Sequence, residues 1–176
     1  MAHIHTEPGQ YDHTISVYLI RTDFSEPKIM LHFHRKMNAY AQFGGHVELT
    51  ENPWQAAVHE LKEESGYTVD QLQLLQPERR MLKIENAVVH PVPAVHATMT
   101  YPQGGGHFHT DSAYAIVTDQ EPLDAPEEGE STDIRLFTRA EVAASDQIDT
   151  ITRDIALYVF DECLVHWHLV ATSAFK

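Results

Sequence analysis

Apolar and polar residues alternate in several short segments of this chain, and that pattern predicts β-strands. Residues His13–Arg21 place Ile15, Val17 and Leu19 on one face, and Lys28–Arg35 is predicted to return beside them as the second strand of a hairpin. Further strands are predicted over Val69–Leu75, Met81–Ile84, Ala87–His90, His107–Val117 and Asp133–Phe137.

A helix is predicted between Asn52 and Gly66. Asn52 is a favourable N-cap, Pro53 suits the first helical position, and Gln55 completes a capping box. Gly66 supplies the left-handed residue at which a helix commonly ends. The apolar residues within these limits recur at the spacing of a core-facing stripe: Trp54, Ala57, Val58 and Leu61.

The C-terminal part is predicted to be helical, over about residues 138–170. A capping box at Thr138–Glu141 opens a short helix, and a longer one begins near Asp149 or Thr150 and ends at about Leu169. Strands from both halves of the sequence with helices around them predict an α+β fold, an α/β/α sandwich. No linker or repeat divides residues 1–176, so we expect one domain.

Composition excludes several classes of protein. The chain has 176 residues and a formal net charge of −14, which argues against a nucleic-acid partner or an anionic membrane surface. The apolar segment Ile155–Val170 contains two acidic residues and two histidines, so we expect no membrane span, and the N-terminus lacks a signal-peptide pattern. A single cysteine, Cys163, fits a reducing compartment, and we expect a cytoplasmic location. The sequence does not decide between a monomer and a homodimer.

Three carboxylates converge on one arc of the predicted helix. Glu60, Glu63 and Glu64 fall at positions i, i+3 and i+4, where like charges destabilise a helix by roughly 0.2–0.5 kcal/mol per pair. A solvated acidic surface is the plain interpretation. A divalent cation would reverse the repulsion, and oxygen ligands at this spacing suit Mg²⁺ or Mn²⁺.

The spacing from Gly45 to Tyr67 resembles the Nudix box, G-x5-E-x7-R-E-U-x-E-E-x-G-U, in which U is a bulky apolar residue. Every fixed position matches except the arginine, which is His59 here. The resemblance implies the Nudix fold, a mixed β-sheet flanked by helices, with the box forming a strand, a loop and a helix.

The resemblance also implies a chemistry, namely hydrolysis of a pyrophosphate bond in a nucleoside diphosphate linked to another group. Glu60, Glu63 and Glu64 would then be catalytic residues that bind Mg²⁺ or Mn²⁺, and the carbonyl of Gly44 would be a further ligand. Glu63 could instead act as the general base. Glu51 would support these ligands without binding the metal.

Two further features of the resemblance leave alternatives open. A histidine at position 59 cannot copy the forked hydrogen bonding of arginine, but it can donate one hydrogen bond to Glu51 or Glu63. An acidic residue from a downstream loop often completes such sites, and Glu127, Glu128 and Glu130 lie in a suitable region. Each of these three could equally be an ordinary solvated residue.

The thirteen histidines include four H-x-H pairs, at His3/His5, His32/His34, His107/His109 and His166/His168. His107 and His109 share a strand face with Asp111, a set that could bind a transition metal. The same residues resemble an uncharacterised Nudix subgroup with an H-x-H-x-D strand, which implies a place in the substrate cleft. The plain interpretation, ordinary surface histidines, is favoured for His3/His5 and His166/His168.

Other candidate substrate contacts are His46, after the glycine pair, and aromatic residues that could stack on a base: Tyr40, Phe43, Tyr101 and Phe108. Two hypotheses of other classes remain beside the hydrolase. One is a non-catalytic Nudix-fold module that binds a nucleotide, motivated by His59 and the net charge. The other is a histidine-rich protein that binds a transition metal.

Overall fold

The computed structural model describes residues 7–100 and 106–175. Its strands are, in chain order, β1 (Tyr11–Arg21), β2 (Lys28–His34), β3 (Ala39–Ala41), β4 (Phe43–His46), β5 (Gln73–Gln76), β6 (Val95–Thr100), β7 (Phe108–Thr118), β8 (Ile134–Thr138) and β9 (His168–Ala171). Its helices are α1 (Pro53–Ser65), α2 (Arg139–Ala144) and α3 (Thr150–Tyr158), with 3₁₀ turns at Val69–Gln71 and Thr172–Ala174. After α3 the chain continues through a π-helical segment (Val159–Cys163) and a last α-helical turn (Leu164–His166).

Strand β1 lies in the middle of a mixed sheet with the order β3-β2-β1-β7-β5-β9. It pairs antiparallel with β2, as the predicted hairpin requires, and parallel with β7 along its whole length. Its first half also pairs with β4, so the strand that contains Gly44 and Gly45 is hydrogen-bonded to the centre of the sheet. Strand β8 extends the sheet beside β2, and β6 pairs with β7.

Two hydrophobic clusters cover the two faces of this sheet. Alternate residues of β1 divide between them: Val17 and Leu19 pack toward Trp54 and Leu61 of α1, whereas Tyr18 packs with residues of α2, α3 and the π-helical segment. A sheet between helical layers is the predicted α/β/α sandwich, and the fold class is confirmed.

Helix α1 begins and ends where its sequence predicts. The Asn52 side chain accepts hydrogen bonds from the backbone N–H groups of Trp54 and Gln55, and the Gln55 side chain accepts one from Asn52 N–H, each at 3.0 Å. Gly66 has φ +75°, and a Cβ there would lie 1.9 Å from the carbonyl oxygen of Asp124. Glycine is therefore required at this position both for its backbone conformation and for the close approach of another segment.

A buried arginine holds the chain around the end of the box. Arg21, at 1% exposure, donates hydrogen bonds to Asp23, to Glu121 and to the Tyr67 hydroxyl. That hydroxyl in turn donates to the carbonyl of Gln120 at 2.7 Å. These bonds fix the start of the acidic loop that follows β7 against the end of the box.

Several predicted elements differ in the structure. The strand predicted over Val69–Leu75 is a 3₁₀ turn followed by β5. The strands predicted over Met81–Ile84 and Ala87–His90 were wrong, because this exposed segment has only an isolated bridge between Ile84 and Ala87. Its apolar residues lack a neighbouring strand with which to form a ladder.

The C-terminal prediction was correct at its start and wrong at its end. Asp149 caps α3, and Thr138 caps α2 with the predicted capping box. The helical segment ends at His166, three residues before the predicted end, and the next residues form β9. Strand β9 exists because it pairs with β5, for example Leu75 with Leu169, which is a contact between distant parts of the chain.

Two compositional expectations can be compared with the described residues. Within residues 7–100 and 106–175, no helix is long and apolar enough to cross a membrane. Cys163 is fully buried, and burial raises the pKa of its thiol to about 12, as expected for a structural thiol that is not reactive.

Candidate active site

Two of the box carboxylates are buried, and one of them contacts Gly44 of β4. Glu60 is 4% exposed and Glu64 is 7% exposed. One oxygen of Glu64 accepts a hydrogen bond of 2.7 Å from the backbone N–H of Gly44. Oε1 of Glu60 is buried and has no hydrogen-bond partner among the residues that the structure describes. Buried carboxylate oxygens that lack donors suit a hard divalent cation, so these residues fit Mg²⁺ or Mn²⁺.

The electrostatics of Glu60 and Glu64 also favour a bound cation. Burial raises the pKa of Glu64 to about 8, against the hydrogen bond from Gly44, and the charges of Glu60, Glu130 and Glu63 raise it further. Burial also raises the pKa of Glu60 to about 7, with a contribution from the charge of Glu63. The protein alone therefore holds protons on these groups near neutral pH, and a cation would displace them.

The path of β4 depends on the absence of a side chain at Gly44. This residue has φ +146°, and a Cβ built on it would lie 2.1 Å from the carbonyl oxygen of Ile15. Gly44 pairs with Ser16 of the central strand β1, and that pairing holds its N–H toward Glu64. The sheet and α1 are thus joined at the site itself.

His59 occupies the position of the box arginine and lies between two carboxylates. Its Nε2 is 2.7 Å from an oxygen of Glu63, and its Nδ1 is 3.6 Å from an oxygen of Glu51. Burial by itself lowers the pKa of His59, but the hydrogen bond with Glu63 and the charges of Glu63, Glu51 and Glu60 outweigh it, and the net pKa is raised. The predicted hydrogen bond from His59 to a neighbouring glutamate is therefore present.

The acidic loop after β7 packs against the end of α1. The backbone N–H of Glu127 donates to the carbonyl of Glu63 at 2.8 Å, and that of Asp124 donates to the carbonyl of Gly66 at 3.2 Å. Of the three acids proposed from the sequence, Glu130 is the one whose negative charge raises the pKa of both buried box glutamates. The sequence could not distinguish it from its neighbours, since loop geometry decides which acid faces the site.

A family comparison agrees with this geometry. The family model described as the NUDIX domain matches residues 12–157 of the chain. The protein belongs to the Nudix family. No curated protein matches it significantly.

Solved structures show the same Nudix fold. A NUDIX family hydrolase from Clostridium perfringens has 24% sequence identity and a TM-score of 0.66, covering 85% of this chain and 95% of that one. An Ap4A hydrolase from C. elegans, solved as a binary complex, has 18% identity and a TM-score of 0.62, covering 88% and 98%. The NUDIX domain of Shewanella oneidensis NrtR, complexed with ADP ribose, has 12% identity and a TM-score of 0.60, covering 87% and 88%. At these identities the likeness establishes the fold.

His32 is a neighbour of the Nudix carboxylates that the sequence analysis did not place in the site. It is 3% exposed, and its Nδ1 lies 3.8 Å from an oxygen of Glu64. Burial, and then the nearby His34, lower the pKa of His32 to about 4. This separation exceeds hydrogen-bond length and both groups are buried, so we describe them as a neutral pair in the metal-free protein. The H-x-H pattern of His32 and His34 on β2 was the sequence feature that could have indicated a place for His32 in the site.

The aromatic residues proposed as a stacking surface lie mostly within the core. Tyr40 and Phe43 are 2% and 0% exposed and belong to the hydrophobic clusters on opposite faces of the sheet. The Tyr40 hydroxyl also donates to Asp133. Phe108 stacks on Tyr11 with ring centroids 5.0 Å apart. Tyr101 lies outside the described residues.

His109 and Asp111 alternate with Thr110 along β7, and His107 directly precedes this strand, but the aspartate has other partners. One oxygen of Asp111 accepts hydrogen bonds from the hydroxyls of Thr14 and Ser16 on β1, at 2.8 and 3.1 Å. Burial raises its pKa, and these two hydrogen bonds oppose the rise. Asp111 therefore helps to join β1 and β7.

Asp12 takes the place beside the histidines that the sequence analysis gave to Asp111. The parallel register of β1 and β7 puts Asp12 opposite His109. Ligand atoms of Asp12, His107 and His109 all lie within 4.8 Å of one another. His46 adjoins this group, with its Nε2 3.7 Å from an oxygen of Asp12 and its ring 5.1 Å from that of His109. The pair His166/His168 is exposed and is not among the ligand atoms of this group, and the pair His3/His5 lies outside the described residues.

Proposed function

We propose that this protein is a divalent-metal-dependent Nudix hydrolase that cleaves a pyrophosphate bond in a nucleoside diphosphate-linked substrate. The observation that carries the proposal is the pair of buried glutamates, Glu60 and Glu64, the second of which is hydrogen-bonded to Gly44 of β4. Two buried carboxylates side by side are costly for a protein that has no cation to bind. Family membership supports the reaction class. The structural neighbours include an Ap4A hydrolase and a NUDIX domain complexed with ADP ribose.

Glu60 and Glu64 would hold the metal, with Glu63 as a third ligand or as the general base. When bound, Mg²⁺ or Mn²⁺ neutralises charge on the phosphate oxygens and lowers the pKa of the attacking water. The hydrogen bond from His59 orients Glu63. Glu51, on the other side of the His59 ring, would help to hold that ring in place.

The test is a turnover assay of tag-free protein with Mg²⁺ or Mn²⁺ and a panel that includes ADP-ribose, Ap4A and UDP-sugars, with chromatographic detection of nucleotide products. Glu64→Gln should lower kcat/KM by roughly 10²–10³-fold, because charge stabilisation by a metal is worth several kcal/mol. Glu48→Gln, an exposed acid just before the helix, is the matched control and should keep wild-type rates. No turnover on any substrate by folded protein, or equal rates in both variants, would contradict the proposal.

A second candidate, a nucleotide-binding module without hydrolase activity, is motivated by His59. A half-exposed histidine cannot provide the two-pronged charged contact of an arginine. Calorimetry of the same panel separates the two candidates. A module would bind a nucleotide with no product formed after prolonged incubation with metal, whereas an enzyme would consume it.

The proposal covers one domain over residues 1–176, in the cytoplasm, with a small-molecule substrate. The net charge of −14 supports the absence of a nucleic-acid partner, because phosphate backbones are repelled unless cations intervene. Fractionation of cells that express the protein would test its location.

A further inference from the structure

We propose that Asp12, His107 and His109 form a second metal site, which binds a divalent transition-metal ion such as Zn²⁺ and is separate from the Nudix carboxylates. One ligand atom from each of the three residues lies within 4.8 Å of the others. Ligands about 2.0–2.2 Å from one ion are at most roughly 4.4 Å apart, so small side-chain rotations bring this group to ligand distances.

The donor set determines the class of metal. Two imidazole nitrogens and one carboxylate oxygen favour Zn²⁺ and its first-row neighbours, whereas Mg²⁺ prefers oxygen ligands alone. The Nudix site has the opposite character, since Glu60, Glu63 and Glu64 offer only oxygens. The two sites should therefore select different cations from a mixture.

The fold holds two of the three ligands on strands of the sheet, and the third, His107, directly precedes β7. Asp12 lies near the start of β1 and His109 opposite it on β7, within an eleven-residue parallel pairing. Asp12 and His107 are each 1% exposed, and His109 is half-buried, so the group is mostly enclosed with one side nearer to solvent. His46, beside Asp12 and His109, is within reach as a fourth ligand, which would be the third nitrogen.

The second site is well separated from the first along the sheet. Asp12 precedes Ser16, the residue that pairs with Gly44 of β4, by four strand positions. At about 3.3 Å per residue this is roughly 13 Å.

The experiment is Zn²⁺ titration by calorimetry on full-length, tag-free protein that has been treated with chelator, with the metal content confirmed by mass spectrometry. We expect about one Zn²⁺ per chain at this site. His109→Ala removes a half-buried ligand and should weaken Zn²⁺ binding at least tenfold, because loss of a supporting contact alone costs about 10–100-fold. Asp12→Asn should do the same with almost no change in shape.

The matched control removes the exposed H-x-H pair, His166→Ala with His168→Ala, and should leave the affinity unchanged. Glu64→Gln should also retain Zn²⁺ while losing Mg²⁺. Visible absorption of the Co²⁺-loaded protein gives an independent readout, which His109→Ala should abolish, and circular dichroism confirms that each variant is folded. Wild-type protein that binds Zn²⁺ no better than folded His109→Ala, or an equal loss in the exposed-pair control, would overturn the proposal.

Discussion

Replacing Glu64 by glutamine should change how the stability of the metal-free protein depends on pH. Burial raises the pKa of Glu64 from 4.5 to about 8 in the folded state. Between these pH values the folded protein holds a proton that the unfolded chain has released. The contribution of Glu64 to the free energy of unfolding is therefore fully present below about pH 4.5 and is lost as pH rises toward 8. Each pH unit costs the folded state up to about 1.4 kcal/mol, which amounts to about 3 kcal/mol between about pH 5 and pH 8.

A glutamine at this position cannot ionise but can still accept the hydrogen bond from Gly44. The free energy of unfolding of Glu64→Gln, minus that of the wild type, should therefore increase by about 3 kcal/mol across the same range. For a chain of this length that corresponds to roughly 6–12 °C in Tm. Urea and thermal unfolding in chelator, at several pH values, measure this difference, and titrations common to both proteins cancel.

Addition of Mg²⁺ should reverse this pH dependence of the difference in unfolding free energy between variant and wild type. The wild type should gain most at high pH, where proton and metal no longer compete, and the variant should gain little. Parallel pH–stability curves for the two metal-free proteins would refute the reasoning. That result is expected if His32 carries a proton and keeps Glu64 ionised, instead of forming the neutral pair described above.

Three other perturbations test separate parts of the site. His59→Arg retains its charge at every pH, whereas the support from protonated His59 is lost above its raised pKa. The ratio of variant to wild-type kcat/KM should therefore increase with pH, and superimposable pH–rate profiles would show that the charge of His59 has no role. Glu130→Gln should weaken the apparent affinity for Mg²⁺ roughly tenfold in activity titrations, and the exposed neighbour Glu128→Gln should not; equal effects would count against a specific role for Glu130. Gly66→Ala should lower the free energy of unfolding by about 3 kcal/mol or more, because its Cβ would meet the backbone carbonyl of Asp124. Gly129→Ala, with a positive φ but open space around it, should cost only about 1–2 kcal/mol, and equal losses by urea unfolding would argue against the clash.

The sequence by itself determined helix α1 and its carboxylates. The caps at Asn52 and Gly66 act within a few residues, and helical geometry brings Glu60 and Glu64 together whatever the rest of the chain does. The same locality explains the correct start of α3 at its Asp149 cap. The spacing of the box residues indicated the family, and the family implied the layered fold.

Only the tertiary structure decided what lies around this helix. The register of β1 and β7 puts Asp12 opposite His109. The docking of the acidic loop decides that the charge of Glu130 raises the pKa of Glu60 and Glu64. Strand β9 likewise exists through its pairing with β5. These arrangements join residues far apart in the chain. Strand register and loop position depend on the packing of the whole sheet, and local residue preferences do not specify them.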